Sequence, residues 1–279
     1  MFRLASKLAF KSVGIYRHRL QVHYARRAIN TTLQKKRTTN AKYKTAYSKV
    51  TMEEAEKRLG FMITEFEDDA IPVSLMLAEA KPEIEGLGKD EVQETKAKVY
   101  DHIVEFLEGE GYPTESDEDF KEANINDLVF AIIIPIIAAF RHKTGRKLRL
   151  RREKEITAVD SETGGYQESI MMDLIAVGSR KFVFLVEAKR SSLGEAKRQC
   201  LLAMKDMGDN NGGGVVYGFV TTGEQWQMLR YDGTVFTQTE NFLVLFPNMG
   251  QEKGRWMKGH SIIVDCIHAA LRSGGFVTT

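Results

Sequence analysis

The sequence has little cysteine, no long uninterrupted apolar run and, over its first fifty residues, no acidic side chain. Its two cysteines, Cys200 and Cys266, exclude a disulfide scaffold and a cysteine-rich zinc module. The longest apolar run, Leu128–Phe140, covers 13 residues and contains Pro135, whereas a membrane-spanning helix needs roughly 20. The 279 residues therefore predict a globular chain with room for one large domain or two small ones.

Charges of opposite sign are segregated along the chain, although the formal net charge is only +2. Residues 1–50 contain 13 basic residues and no acidic one, whereas residues 51–120 contain 21 acidic and six basic residues. Such asymmetry usually marks segments with separate functions. We therefore predict a basic segment over 1–50, an acidic helical region over 51–119 and a third domain over 120–279.

The basic segment has the composition of a mitochondrial transit peptide. Arg3, Lys7 and Lys11 recur every four positions, so a helix would place them on one face, largely opposite the apolar residues. The two lysines interrupt the stretch in which a secretory signal needs its apolar core. The segment therefore predicts import into the mitochondrial matrix and is expected to be disordered or cleaved. The alternative is a basic arm that binds nucleic acid or directs nuclear entry.

The acidic region is predicted to be helical. Met52–Leu59 is a helix-forming run with Thr51 as its N-cap, and Val92–Leu107 places apolar residues on one face before two glycines. Its excess of carboxylates predicts either a docking surface for a protein partner or a solvated helical subdomain.

The rest of the chain alternates between helical and strand patterns. The predicted order is helix, three strands, helix and strand, followed later by a closing helix. This order predicts a mixed α/β domain in which a helix crosses between the third and fourth strands. The predicted elements are helix Leu128–His142, strands near 148–152, 168–177 and 182–186, helix Leu193–Met207, strand Val215–Val220 and helix Ile262–Leu271.

Ionisable residues on the second and third of these strands suggest a metal site. Asp173 lies between apolar residues, and a lone buried carboxylate is costly unless it is paired or bound to a metal. Glu187 and Lys189 alternate, so both should project from one face of the third strand. An antiparallel hairpin could bring Asp173 and Glu187 together around Mg²⁺ or Mn²⁺. Lys189 would then stabilise a phosphate or activate the attacking water.

This arrangement resembles the PD-(D/E)xK nuclease superfamily over about residues 120–235. The family hallmark is an acid on one strand and acid-x-lysine on the next, within an α-β-β-β-α-β core, here matched by Asp173 and by Glu187-Ala188-Lys189. The resemblance implies a restriction endonuclease-like fold and a supporting role for Gln199 on the following helix. It also implies a third acid, for which Glu122, Asp127 and Glu155 are candidates.

Basic residues near these strands could contact nucleic-acid phosphates; a solvated face explains them equally well. The candidates are Arg149, Arg151, Arg190 and Lys197. Together these patterns predict a hydrolase that cleaves nucleic acid, DNA rather than RNA, with Mg²⁺ in mitochondria. The alternative is a catalytically inactive protein that keeps the nuclease fold and acts as a structural or binding subunit. Either Asp173 and Lys189 form part of an active site, or they form a plain salt bridge.

Overall fold

The computed structural model describes residues 42–80, 88–114, 118–176, 179–191 and 193–275. Nearly all of the predicted targeting segment, residues 1–41, lies outside them. Residues from Tyr43 onward form one compact unit. The boundary predicted between 119 and 120 falls inside this unit.

The described part of the chain contains eight α-helices. They are α1 (Met52–Leu59), α2 (Ile63–Asp68), α3 (Val73–Ala78), α4 (Lys89–Glu110), α5 (Glu122–Thr144), α6 (Leu193–Asn211), α7 (Lys253–Gly259) and α8 (Ile262–Ser273). It also contains eight strands: β1 (Thr45–Ala46), β2 (Leu148–Thr157), β3 (Thr163–Ala176), β4 (Ser179–Ala188), β5 (Val216–Thr221), β6 (Gln225–Tyr231), β7 (Phe236–Gln238) and β8 (Phe242–Leu243).

Local sequence signals account for where the helices begin and end. Thr51 caps α1 as predicted, since it accepts from the Glu54 backbone while the Glu54 carboxylate accepts from the Thr51 backbone. The helix ends at Gly60, whose φ of 87° suits glycine. Helix α5 begins six residues before the predicted start and ends before Gly145, which has φ 68°.

Helix α5 is a core helix of the unit. By length and composition it is the one described helix that could cross a membrane, but half of its apolar window is buried inside the protein. Its buried residues, such as Leu128, Ile132 and Ile136, are fully covered. Core helices of globular proteins pass the same composition test, so this helix is weak evidence for a membrane span.

The strands form one mixed sheet in the order β1-β3-β4-β5-β6-β7, with β2 also pairing to β3 and β8 to β6. Strands β2, β3 and β4 form an antiparallel meander. Strand β5 lies parallel to β4, and α6 makes the crossing between them. The prediction of an α/β fold with a mixed sheet is therefore confirmed.

Both faces of the sheet are covered by helices. Phe184 and Val186 of β4 pack in one core with α4, α5 and α8, whereas Leu185 packs in a second core with α6. The alternation places successive β4 side chains in different layers, as expected for a central strand. Because α6 covers the Leu185 face, Glu187, two residues later on β4, is also buried, at 3% exposed.

Candidate active site at the end of strand β4

Strand β4 delivers Glu187 and Lys189 to one end of the sheet. Ala188 pairs with Thr221 of the parallel strand β5, and the Lys189 N–H donates to the Thr221 carbonyl over 2.9 Å. These backbone contacts hold both functional positions at the point where β4 ends. The Glu187 side chain projects toward α6, the same direction as Leu185 two residues earlier.

The Lys189 ammonium contacts two carboxylates. Its Nζ lies 3.2 Å from Glu187 Oε1 and 3.0 Å from Glu122 Oε1. Glu122 stands in the first turn of α5, so the cluster joins the start of that helix to the end of β4. The Glu187 side chain is 4% exposed and that of Glu122 is 43% exposed. The cluster therefore has one carboxylate removed from water and one at the surface.

Burial makes Glu187 hard to ionise. Loss of hydration raises the pKa of Glu187 to about 7, while Lys189 opposes the rise and the carboxylates of Glu122 and Glu195 add to it. On α6, burial and the nearby Glu187 both raise the pKa of Cys200, which stays a neutral thiol. A carboxyl group that changes charge near neutral pH beside a lysine is a feature of catalytic sites.

Helix α6 contributes a further acid and the predicted glutamine. Gln199 is buried, and its Nε2 donates to Glu195 Oε1 over 3.1 Å. Glu195 lies one turn before Gln199 and close enough to influence Glu187. Gln199 thus lies in the helix that covers the site, with its amide directed to Glu195. Sequence reasoning missed Glu195, although its position one turn before Gln199 on the same helix was a usable signal.

Asp173 does not join this cluster, so the predicted pairing of Asp173 with Glu187 is wrong. Asp173 pairs across the hairpin with Lys181, six residues before Glu187 and therefore roughly 20 Å away along the strand. Its Oδ2 accepts from Arg146 Nη2 at 2.7 Å and Nε at 3.0 Å. Asp173 also lies on the face of Leu148, which packs in the core opposite α6.

The hairpin register explains the misplacement. Ser169 of β3 pairs with Val186 of β4. The next antiparallel step along β3 is Glu168, whose backbone position follows this pair on the side of Glu187. Asp173 therefore lies five residues along β3 from the strand position that it was predicted to fill. Counting outward from the turn between β3 and β4 could have found it.

Of the three candidates for a third acid, Glu122 joins the cluster. Asp127 instead contacts Arg152 over 3.2 Å, and the Arg152 guanidinium lies 4.0 Å from the centre of the Phe130 ring. Glu155 lies on β2, paired across the sheet with Tyr166. Helix α5 therefore supplies the extra carboxylate, from Glu122 in its first turn, next to the end of β4.

The four predicted nucleic-acid-binding residues occupy different settings. Arg149 and Arg151 are exposed on edge strand β2, opposite Met172 and Ile170, and lie on the α6 face that also carries Glu187. Arg190 is half-buried and directly follows Lys189. Lys197 is not on an open basic surface, which corrects the prediction: it is 6% exposed, and its Nζ pairs with Glu67 of α2 over 3.0 Å.

The side chains of the cluster can be compared with what a divalent cation needs. Glu187 and Glu122 provide hard carboxylate oxygens, the ligands that Mg²⁺ prefers. Among the described residues, no group of three or more His, Cys, Asp or Glu side chains is arranged to hold a metal ion. In the described geometry, the Lys189 ammonium lies against both carboxylates.

Comparison with known proteins adds no family assignment. No protein-family model matches the chain, and no curated protein matches it significantly in sequence.

Proposed function

We propose that this protein hydrolyses phosphodiester bonds of nucleic acid, DNA rather than RNA, with Mg²⁺ or Mn²⁺ in the mitochondrial matrix. The observation that carries the proposal is the Lys189 ammonium held between a buried carboxylate and a surface carboxylate at the end of β4. An ammonium beside acidic groups suits a reaction in which negative charge develops on phosphate oxygens.

The order of elements supports a restriction endonuclease-like core. Helix α5, the meander of β2, β3 and β4, helix α6 and strand β5 follow the α-β-β-β-α-β pattern of the PD-(D/E)xK superfamily. In this assignment Glu187 and Lys189 are the acid-x-lysine pair, whereas Asp173 lies outside the site.

The chemistry of the donors favours a hard divalent cation. A cation beside Glu187 would offset the loss of hydration that raises the pKa of this carboxyl group. Glu187 would hold the ion together with Glu122. When bound, Mg²⁺ supplies a Lewis acid and lowers the pKa of a coordinated water. Lys189 would stabilise the phosphate, and the exposed Arg149 and Arg151 would contact flanking phosphates.

A second candidate function is that of a catalytically inactive subunit with the same fold. The ion pair between Asp173 and Arg146 favours it, because that acid is engaged in structure. So does the lack of a three-carboxylate group among the described side chains. In this case the protein would bind a protein or nucleic-acid partner without cleaving it.

Cleavage and metal binding of matched variants separate the two candidates. Lys189→Ala should lower Mg²⁺-dependent cleavage by about 10²–10⁴-fold, because it removes the ammonium group that would stabilise the phosphate. Its affinity for Mg²⁺, measured by titration calorimetry, should be retained, since lysine is not a ligand. Glu187→Gln should lose both cleavage and metal binding. Lys189→Arg should restore activity only in part, because a guanidinium stays protonated.

Lys98→Ala is the matched control, since Lys98 is an exposed residue of α4 whose ammonium pairs with Glu94 one helical turn earlier. It should behave as wild type. If wild type cleaves neither single-stranded nor double-stranded DNA or RNA with Mg²⁺ or Mn²⁺, the inactive-subunit function replaces the proposed one.

A further inference from the structure

A cavity of about 700 Å³ opens beside the proposed catalytic cluster. Arg190 and Ser191, which line it, directly follow Lys189, and Ile125 lies one helical turn after Glu122 on α5. Leu193 lines it from the start of α6, two residues before Glu195. The segment that follows β4, helix α5 and helix α6 therefore contribute to both the cluster and the walls of this cavity.

The turn between β5 and β6 forms another wall. Glu224 lies in this turn and lines the cavity, and β5 is the strand that runs parallel to β4. The cavity consequently opens at the sheet end where Glu187 and Lys189 stand. Sites for small organic ligands usually have volumes of roughly 300–1,000 Å³. A cavity of this volume has room for one unstacked nucleotide but not for a section of duplex.

The cavity is lined by both apolar and polar side chains, which suits a nucleobase, because a base has apolar faces and a polar edge. Phe120, Ile125 and Leu193 form an apolar part of the lining, in which Phe120 is 2% and Ile125 1% exposed. Tyr112 and Glu224 provide polar atoms, and the Tyr112 hydroxyl donates to Glu224 Oε1 over 2.9 Å. A carboxylate oxygen accepts more than one hydrogen bond, so Glu224 suits the N–H groups on a base edge. Arg190 adds positive charge to this lining and directly follows Lys189 in the chain.

We propose that this cavity binds the unstacked base next to the scissile phosphate, so that the substrate is a single strand or a frayed end rather than continuous duplex. The inference rests on the proposed function for the position of the phosphate. Taking a paired base out of a duplex costs several kcal/mol, which a single strand does not pay. The duplex should therefore bind more weakly than its separated strand.

Binding without cleavage tests this assignment. Full-length protein in EDTA is titrated against a fluorescent single-stranded oligonucleotide, the same oligonucleotide with abasic sites, and a blunt duplex, with anisotropy as the readout. The intact strand should bind about tenfold more tightly than either of the others. Tyr112→Ala and Glu224→Ala should lower affinity for the intact strand to that of the abasic strand and leave abasic binding unchanged. Glu105→Ala, an exposed residue of α4, is the control.

Equal affinity for the intact strand, the abasic strand and the duplex would overturn the assignment, whatever the variants do. The comparison with abasic DNA needs only wild-type protein, so a misfolded variant cannot obscure it. Preferential binding of the intact strand without any cleavage in Mg²⁺ or Mn²⁺ would keep the base-binding cavity and reject the proposed hydrolysis. Cleavage of duplex and abasic DNA as fast as of the intact single strand would keep hydrolysis and reject the cavity assignment.

Discussion

Two buried carboxylates of this protein, those of Asp206 and Glu187, differ in the hydrogen bonds and ion pairs that they make. Asp206 is fully buried, but its oxygens accept from Arg58 Nη2, Tyr47 Oη and Thr163 Oγ1, each at 2.8 Å. Those hydrogen bonds oppose the rise that burial produces in the pKa of Asp206. Glu187 is paired with Lys189, which Glu122 shares. Asp206 therefore has the contacts of a structural residue. A cation bound beside Glu187 would lower its raised pKa and stabilise its charged form.

Glu187→Gln should flatten the pH dependence of stability. The pKa of Glu187 is about 7 in the folded protein against an ordinary 4.5, so between these values the folded state retains a proton that the unfolded state has lost. The wild-type free energy of unfolding should therefore fall as the pH rises through this range, by on the order of 3 kcal/mol. Glutamine does not titrate, so the variant lacks this fall.

Urea unfolding across this pH range measures the effect, with exposed Glu105→Gln as the control. A constant difference between Glu187→Gln and wild type at every pH would show that the Glu187 carboxyl group does not titrate as proposed.

At the scale of elements, helix α1 is attached to α6 by Arg58. The guanidinium contacts Asp206 on α6 over 2.8 Å and Asp160, in the turn after β2, over 2.9 Å. The same Asp206 accepts from Tyr47, which follows β1. A single buried carboxylate therefore ties both Tyr47, near the end of residues 1–50, and helix α1 to the helix that covers Glu187.

Arg58→Ala should destabilise the protein by about 3 kcal/mol, because removing one partner leaves Asp206 buried without its cation. Lys57→Ala, on the exposed side of the same helix, should have little effect. The measurement is the midpoint of urea unfolding at unchanged slope. Equal midpoints for the two variants would mean that the contact between Arg58 and Asp206 contributes nothing to stability.

At the scale of the whole molecule, the compact unit begins at Tyr43, inside the basic segment predicted over residues 1–50. The first residues with described backbone contacts to the sheet are Lys44 and Thr45, whose N–H groups donate to Ser161 and Glu162. The last residues of the predicted transit segment therefore belong to the folded unit, since Tyr47 and Val50 are buried in it, and the prediction that all of 1–50 is disordered or cleaved is wrong for them. The acidic helices belong to the compact unit, since Val99, Tyr100 and Ile103 of α4 are buried in the same core as α5.

Deletion of residues 1–40 should abolish mitochondrial import of a fluorescent fusion and leave the melting temperature of the purified protein nearly unchanged. The proposed import would require the basic amphipathic segment, whereas the compact unit starts at Tyr43. Microscopy and thermal unfolding provide the two readouts. Unchanged import of the truncated fusion would reject the transit peptide, and accumulation of the full-length fusion in the nucleus would favour the basic-arm alternative.

Sequence patterns alone were sufficient for much of the architecture. Alternation and helical periodicity identified the helix through Leu128–His142, the meander, the crossing helix and the position of Glu-x-Lys at the end of β4. These features are local, because side-chain direction repeats every two residues in a strand and every 3.6 in a helix. Glu187 and Lys189 could therefore be placed on one strand end without knowing what surrounds them.

Tertiary structure alone decided which groups meet there. The hairpin register placed Asp173 opposite Lys181 and against Arg146, on the sheet face opposite Glu187. Packing brought Glu122 to Lys189, 67 residues away in sequence, and neutralised Lys197 with Glu67. Register and long-range pairing depend on turn geometry and on the total burial of distant segments, and these leave no periodic trace along the chain.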